Sequence, residues 1–202
     1  MANLSGVTLQ TPRGVLILEE FQIGLETHKF LEVACPDPVP MDIRWRVPRE
    51  GRGNDVGVHR GMSRLIVSER QVETFLYVLP SGLPFDFALS DLEFPVEIVG
   101  CILIVNLNIA CFMLTDDKGR LKKIPKIARA IQRIWIDEQR LPFVVVTTGY
   151  ESPALTESQI RDSMYLDPDI TIVPCPAGLD KVIAERALTR LLEQISTHGA
   201  DR

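Results

Sequence analysis

The stretch GVLILEEFQIGLETHKFLEVA, residues 14–34, decides how the rest of the chain is read. An apolar run without alternation, Gly14 to Leu18, gives way to an acidic turn and then to a segment of helical character. Such a run suits a strand buried on both faces, because helices cover both sides of a mostly parallel sheet. The turn EEFQIGLE, residues 19–26, stands where a nucleotide-binding α/β protein keeps its phosphate loop, yet its chemistry differs. That loop wants Gly, four residues, Gly, Lys and then Ser or Thr. Here those positions hold Glu19, four residues, Gly24, Leu25 and Glu26. The plain reading is an acidic turn whose Glu26 or Thr27 favours a helix N-terminus. The sharper reading is a phosphate loop that has lost its use, with a protein carboxylate, Glu26 for example, in the field that a phosphate once occupied.

Three further apolar runs follow the first: IVGCILIV at 98–105, PFVVVT at 142–147 and ITIVPC at 170–175. Between and after them lie two segments of helical period. Residues 123–139 place Ile124, Ile127, Ala128, Ile131, Ile134 and Trp135 on one face, and the last segment does the same with Val182, Ala187, Leu188, Leu191, Leu192 and Ile195. In the middle, SRLIVSE at 63–69 and QVETFLYVLP at 71–80 are β-rich and nearly contiguous, which predicts an antiparallel hairpin. PMDIRWRVP, 40–48, reads as an edge strand between prolines, and the Arg/Gly-rich PREGRGNDVGVHRG, 48–61, as a long loop. The fold class is therefore α/β with a mixed sheet.

At 202 residues, with 46% hydrophobic and 24% charged residues, the chain has the composition of one globular domain spanning 1–202, with tails at 1–13 and 196–202. A formal net charge of -5 supplies no field for nucleic acid. Cys35, Cys101, Cys111 and Cys175 form no CxxC pair and have no His at a ligand interval, so no metal site is expected and the thiols read as apolar fillers in a reducing compartment. No signal peptide pattern opens the chain, and the apolar stretch from Ile98 to Leu107 is about half of the ~20 residues a membrane span needs. A cytoplasmic location without a membrane span is the expectation.

The order of these elements resembles the small Ras-like GTPases, most closely their bacterial gliding-motility and Arf-like branch. The likeness runs from Gly14 to Ile195. GVLILEEFQIGLETHKFLEVA is similar to that family's first strand, phosphate loop and first helix, and PVPMDIRW to the segment after switch I. FLYVLPSGLPFDFALSDL resembles the third strand and switch II, VGCILIVN the fourth strand, and LPFVVVTTGYESP the fifth strand with its base-reading loop. CPAG at 175–178 aligns with the last base loop. The resemblance implies a single Ras-like domain whose central sheet is mixed and mostly parallel, with an antiparallel hairpin and helices on both faces.

The departures from the family pattern are coherent. The family's Lys neutralises phosphate charge and its Ser or Thr ligates Mg²⁺; Leu25 and Glu26 stand there, Glu19 replaces the first glycine, and Gly24 alone is kept. A nanomolar nucleotide site is worth about 12 kcal/mol. Each lost charge-assisted contact costs about 1.5–3 kcal/mol, and a carboxylate ~4 Å from a phosphate costs on the order of 4 kcal/mol at an effective dielectric of about 20. With Glu19, Glu20 and Glu26 in the loop, the sum approaches the whole affinity. After Gly82, Leu83 replaces the Gln that orients the attacking water, and Thr148, Gly149, Tyr150 and Glu151 replace Asn-Lys-x-Asp, keeping only an acid.

The resemblance thus implies a pseudo-GTPase, a regulatory or scaffolding module that neither binds nor hydrolyses GTP appreciably and needs no cofactor. Its implied partners are a Roadblock-type regulator or a related active GTPase, met through Leu83 to Asp91, where Phe85, Phe87 and Leu89 form the candidate interaction surface, and through the neighbouring hairpin. The alternatives are an atypical nucleotide-binding GTPase completed by a partner's Lys or Arg, and an unrelated flavodoxin-like domain, which the hairpin argues against. His28, His59 and His198 are scattered and compose no catalytic triad. Asp116 and Asp117 read as a solvated turn, and Lys118 to Lys126 as a solvated basic face or a docking patch for an acidic partner.

Overall fold

The strand candidates identified by their apolar runs pair into one sheet. A computed structural model describes residues 13–19, 25–46, 53–67, 70–79, 92–107, 141–149, 156–164, 166–175 and 178–198. In chain order the elements are β1 (Arg13–Glu19), α1 (Leu25–Ala34), β2 (Val39–Arg46), β3 (Gly53–Val67), β4 (Arg70–Val78), β5 (Leu92–Glu93), β6 (Ile98–Asn106), β7 (Phe143–Thr148), α2 (Glu157–Met164), β8 (Thr171–Pro174) and α3 (Lys181–His198). The sheet order is β5-β2-β3-β4-β1-β6-β7-β8. β4, β1, β6, β7 and β8 run parallel, while β3 is antiparallel to both β4 and β2, and β5 to β2.

The parallel strands are apolar on both faces because both faces are covered. Val15 and Ile17 of β1, Ile102 and Ile104 of β6 and Val144 and Val146 of β7 point to one layer, which holds Phe30 and Leu31 of α1 and Ala184, Ala187, Leu188, Leu191 and Leu192 of α3. Leu16, Cys101, Leu103, Val105, Phe143 and Val145 point the other way, toward Ile160 of α2, Leu166 and Ile170. Each fully buried aliphatic side chain contributes about 1.5–3 kcal/mol of transfer free energy, and both layers are continuous.

Three expectations need correction. The second half of the expected 48–61 loop is strand: β3 begins at Gly53, and its residues Gly53 to Arg60 pair with the whole of β2, from Arg46↔Gly53 to Val39↔Arg60. The reason is a period-2 pattern, with Val56 and Val58 buried and Asp55, Gly57 and His59 exposed, which the glycines and polar residues disguise. The segment around 40–48 is strand, but it is not the sheet edge, since β5 pairs outside it through Arg44↔Glu93 and Trp45↔Leu92. Val182, expected on the apolar face of the last helix, is 61% exposed. It occupies the first turn of α3, before the helix settles onto the sheet at Ala184. The helix expected over 123–139, the basic run Lys118 to Lys126, Asp116, Asp117 and Cys111 lie outside the described residues.

Glycine matters at one approach in particular. At Gly61 of β3 an ideal Cβ would lie 2.5 Å from Cys35 Sγ and 3.0 Å from Leu31 Cδ1. α1 therefore rests on β3 at a distance that only a missing side chain allows. Among the described residues no helix is long and apolar enough to cross a membrane.

Candidate functional site

In an open α/β sheet, ligands bind beyond the carboxyl ends of the parallel strands, where successive connections diverge. Here that point lies between β1 and β6: the chain leaves β1 toward β2, β3 and β4 on one side, and β6 is followed in the sheet by β7 and β8 on the other. The strand register places the relevant residues together. Glu19 pairs with Ile104, Asn106 with Thr148, and the Cys175 amide donates to the Thr147 carbonyl at 2.9 Å.

α1 starts against this edge. The Glu26 amide donates to Glu19 Oε2 at 3.3 Å, so a carboxylate from the end of β1 sits on the first turn of the helix. Helix N-termini expose unsatisfied amides and favour negative charge. The sequence pointed to Glu26 as the carboxylate in that field; the structure puts the Glu19 carboxylate on the helix's first turn, with Glu26 supplying the amide, while the loop amides of residues 20–24 lie outside the described residues. No i, i+3 spacing announces this pair, which is separated by seven residues.

The neighbouring wall comes from the β8–α3 connection. Burial raises the pKa of the Cys175 thiol first, and the negative charges of Asp180 and Glu26 push the same way, against a hydrogen bond from the Gly178 backbone and the positive Lys29. Gly178 has φ 92°, the left-handed region that favours glycine, and Lys29 Nζ lies beside it. The charges acting on the thiol are thus mixed, with Asp180 and Glu26 set against Lys29. Neither Lys29 nor Asp180 was singled out from the sequence; their nearness to Cys175 and Gly178 depends on the β7–β8 pairing that sets where β8 ends, and Pro176 and Ala177 of the CPAG stretch lie outside the described residues.

At the third wall, β7 ends in Thr148, and Gly149 turns the chain with φ 81°. Thr148 is buried, and its Oγ1 has no hydrogen-bond partner among the described residues. The structure therefore brings Glu19, Glu26 and Thr148 to one end of the sheet, with the backbone of Leu25 at the helix start. Gly24, Gly82, Leu83, Phe85, Phe87, Leu89 and Glu151 lie outside the described residues.

A second cluster was missed because its members are far apart in sequence. His28 of α1 and His59 of β3 are joined, with Nε2 of His28 3.1 Å from Nδ1 of His59 and the rings edge to face, 4.7 Å between centroids. On the other face of β3, Arg60 stacks over Phe75 at 5.0 Å, Arg64 pairs with Glu73 at 2.9 Å, and Met62 and Ile66 are 38% and 77% exposed. Among the described residues no group of three or more His, Cys, Asp or Glu is placed to hold a metal ion. Set against known proteins, the chain matches no protein-family model and no curated protein.

Proposed function

We propose that the chain is a Ras-like domain that neither binds nor hydrolyses GTP appreciably and works as a regulatory protein-interaction module. The observation that carries this reading is the Glu19 carboxylate on the Glu26 amide, at the helix start where a nucleotide phosphate would need to sit. A phosphate entering there meets fixed negative charge from Glu19 and Glu26, and on the order of 4 kcal/mol per carboxylate at ~4 Å opposes it. Leu25 offers no compensating cation. The sheet order, with β1 central and the antiparallel β3–β4 hairpin beside it, supports the Ras-like reading.

The interaction half of the proposal draws on the hairpin. Met62 presents apolar surface between Arg60 and Arg64, and Ile66 does so just past Arg64, a mixture that suits a protein partner. The partner class is a Roadblock-type regulator or a related active GTPase. The test begins by denaturing freshly purified protein and assaying released nucleotide, then titrating GTP and GDP with Mg²⁺ by calorimetry. The expected result is no stoichiometric nucleotide and no heat up to about 1 mM, the equivalent of roughly 4 kcal/mol. Stoichiometric nucleotide would overturn the reading in favour of a GTPase completed by a partner's cation. Titration against the Roadblock-type protein and the related GTPase from the same genome tests the other half: binding is expected to be independent of added nucleotide on this chain and weakened by Ile66→Asp.

A further inference from the structure

The imidazoles of His28 and His59, 31 residues apart in sequence, meet at hydrogen-bond distance, Nε2 to Nδ1. We propose that they form a two-histidine chelate for a divalent transition ion, Zn²⁺, Ni²⁺ or Cu²⁺, which ties α1 to β3. Imidazole nitrogen is a preferred ligand for these ions, at about 2.0–2.1 Å. Two nitrogens sharing one ion at that distance lie roughly 2.9–3.4 Å apart for angles at the metal from about 90° to about 109°. The observed separation of 3.1 Å falls inside that interval.

The pair is held in place by its elements. Phe30 and Leu31, beside His28, are buried in the layer under α1, and His59 sits in a strand paired on both sides, opposite Pro40 and Val78. Gly61 lets the helix approach the strand closely enough for the two rings to meet. Gly57, two residues before His59 on the same face, leaves the neighbouring surface open; the nearest atom to its ideal Cβ is Asp42 Oδ1 at 3.7 Å. His59 is exposed and His28 half-buried, so an ion reaches the nitrogens from solvent and completes its coordination with water. The described thiols do not compete: burial pushes Cys35 up to about 12 and raises Cys101 and Cys175 as well, which keeps them protonated at neutral pH. The proposal holds whether or not the chain binds nucleotide.

The test uses the untagged full chain in metal-free buffer, titrated with ZnCl₂ and NiCl₂ by calorimetry beside His28→Gln and His59→Gln. The expected result is one ion per chain, at least tenfold weaker binding in each variant, and a rise in thermal midpoint with metal that both variants lose. Circular dichroism verifies that the variants fold. Long-range nitrogen NMR of the imidazoles in the unmutated chain reads the site without any substitution, and both the His28 and His59 signals are expected to shift on adding Zn²⁺. No binding up to about 1 mM, undiminished binding in both variants, loss in only one of them, or a shift confined to His198 would each overturn the shared site.

Discussion

α1 and α3 lie on the same face of the sheet, yet they begin in different ways. α3 is capped by its own sequence: the Asp180 carboxylate accepts from the Ile183 amide at 2.8 Å, and its carbonyl accepts from the Ala184 amide. α2 is as self-contained, with Thr156 and Gln159 satisfying each other's amides in a capping box. α1 instead takes a carboxylate from the end of the preceding strand, seven residues away. A locally capped helix can start wherever its sequence puts it. A helix capped by the strand before it has its first turn registered to the sheet, and the carboxylate doing so fills the position from which a bound anion would be held.

The comparison can be broken at the level of packing first. Phe30 in α1 and Leu188 in α3 are both fully buried, so Phe30→Ala is expected to cost about 3–5 kcal/mol and Leu188→Ala about 2–5 kcal/mol in urea unfolding. A much smaller cost at Phe30 would mean that α1 is not a full member of the core. The glycines beneath the helices come next. Gly61→Ala drives a Cβ to 2.5 Å from Cys35 Sγ, whereas at Gly100, under α3, the nearest atoms are Leu191 Cδ1 at 3.0 Å and the Pro142 carbonyl oxygen at 3.1 Å. Overpacking of about 1–3 kcal/mol is expected, larger at Gly61, and equal losses would show that α1 yields more easily than its contacts imply.

The caps themselves sharpen the contrast. Asp180→Ala is expected to lose about 1 kcal/mol, read as a lower urea midpoint. Glu19→Gln keeps an acceptor oxygen and is expected to change stability by under about 0.5 kcal/mol; GTP binding is still expected to be absent, because Leu25 and Glu26 remain. Smallest at neutral pH is the thiol beneath α1. Burial raises Cys35 from its ordinary 9.0 to about 12, so the folded chain holds that proton more tightly than the unfolded one. Its contribution to stability is present in full below pH 9 and is lost as pH rises from there toward about 12. Alkaline unfolding of Cys35→Ala should accordingly show a shallower pH dependence than that of the parent chain.

Much of the sheet was legible because buried parallel strands are written as uninterrupted apolar runs: β1, β6, β7 and β8 lie within a residue or so of the runs that announced them. The first half of β3 was not, since Gly53, Gly57 and Gly61 and the charges between them imitate a loop, and only Val56 and Val58 betray the alternation. At the candidate site, the importance of residues 19–26 could be read from their place between a strand and a helix. Which carboxylate meets the amide could not, because that depends on how far β1 runs before the chain turns. The His28–His59 pair was illegible for a related reason: it exists through the packing of α1 on β3, and no spacing along the chain encodes it.

The position of β1 has a consequence for how the molecule is made. Val15 lies between Leu76 on one side and Gly100 on the other, so the first of the described strands in chain order is a central one, and neither of its neighbours is adjacent in sequence. At roughly 5–20 residues per second of synthesis, the β1 strand waits several seconds after leaving the ribosome before β4 and then β6 emerge to close over it. During that interval β1 lacks both of its sheet neighbours, and α1, whose Phe30 and Leu31 share a core layer with Val15 and Ile17, is the described element already at hand to cover its apolar run.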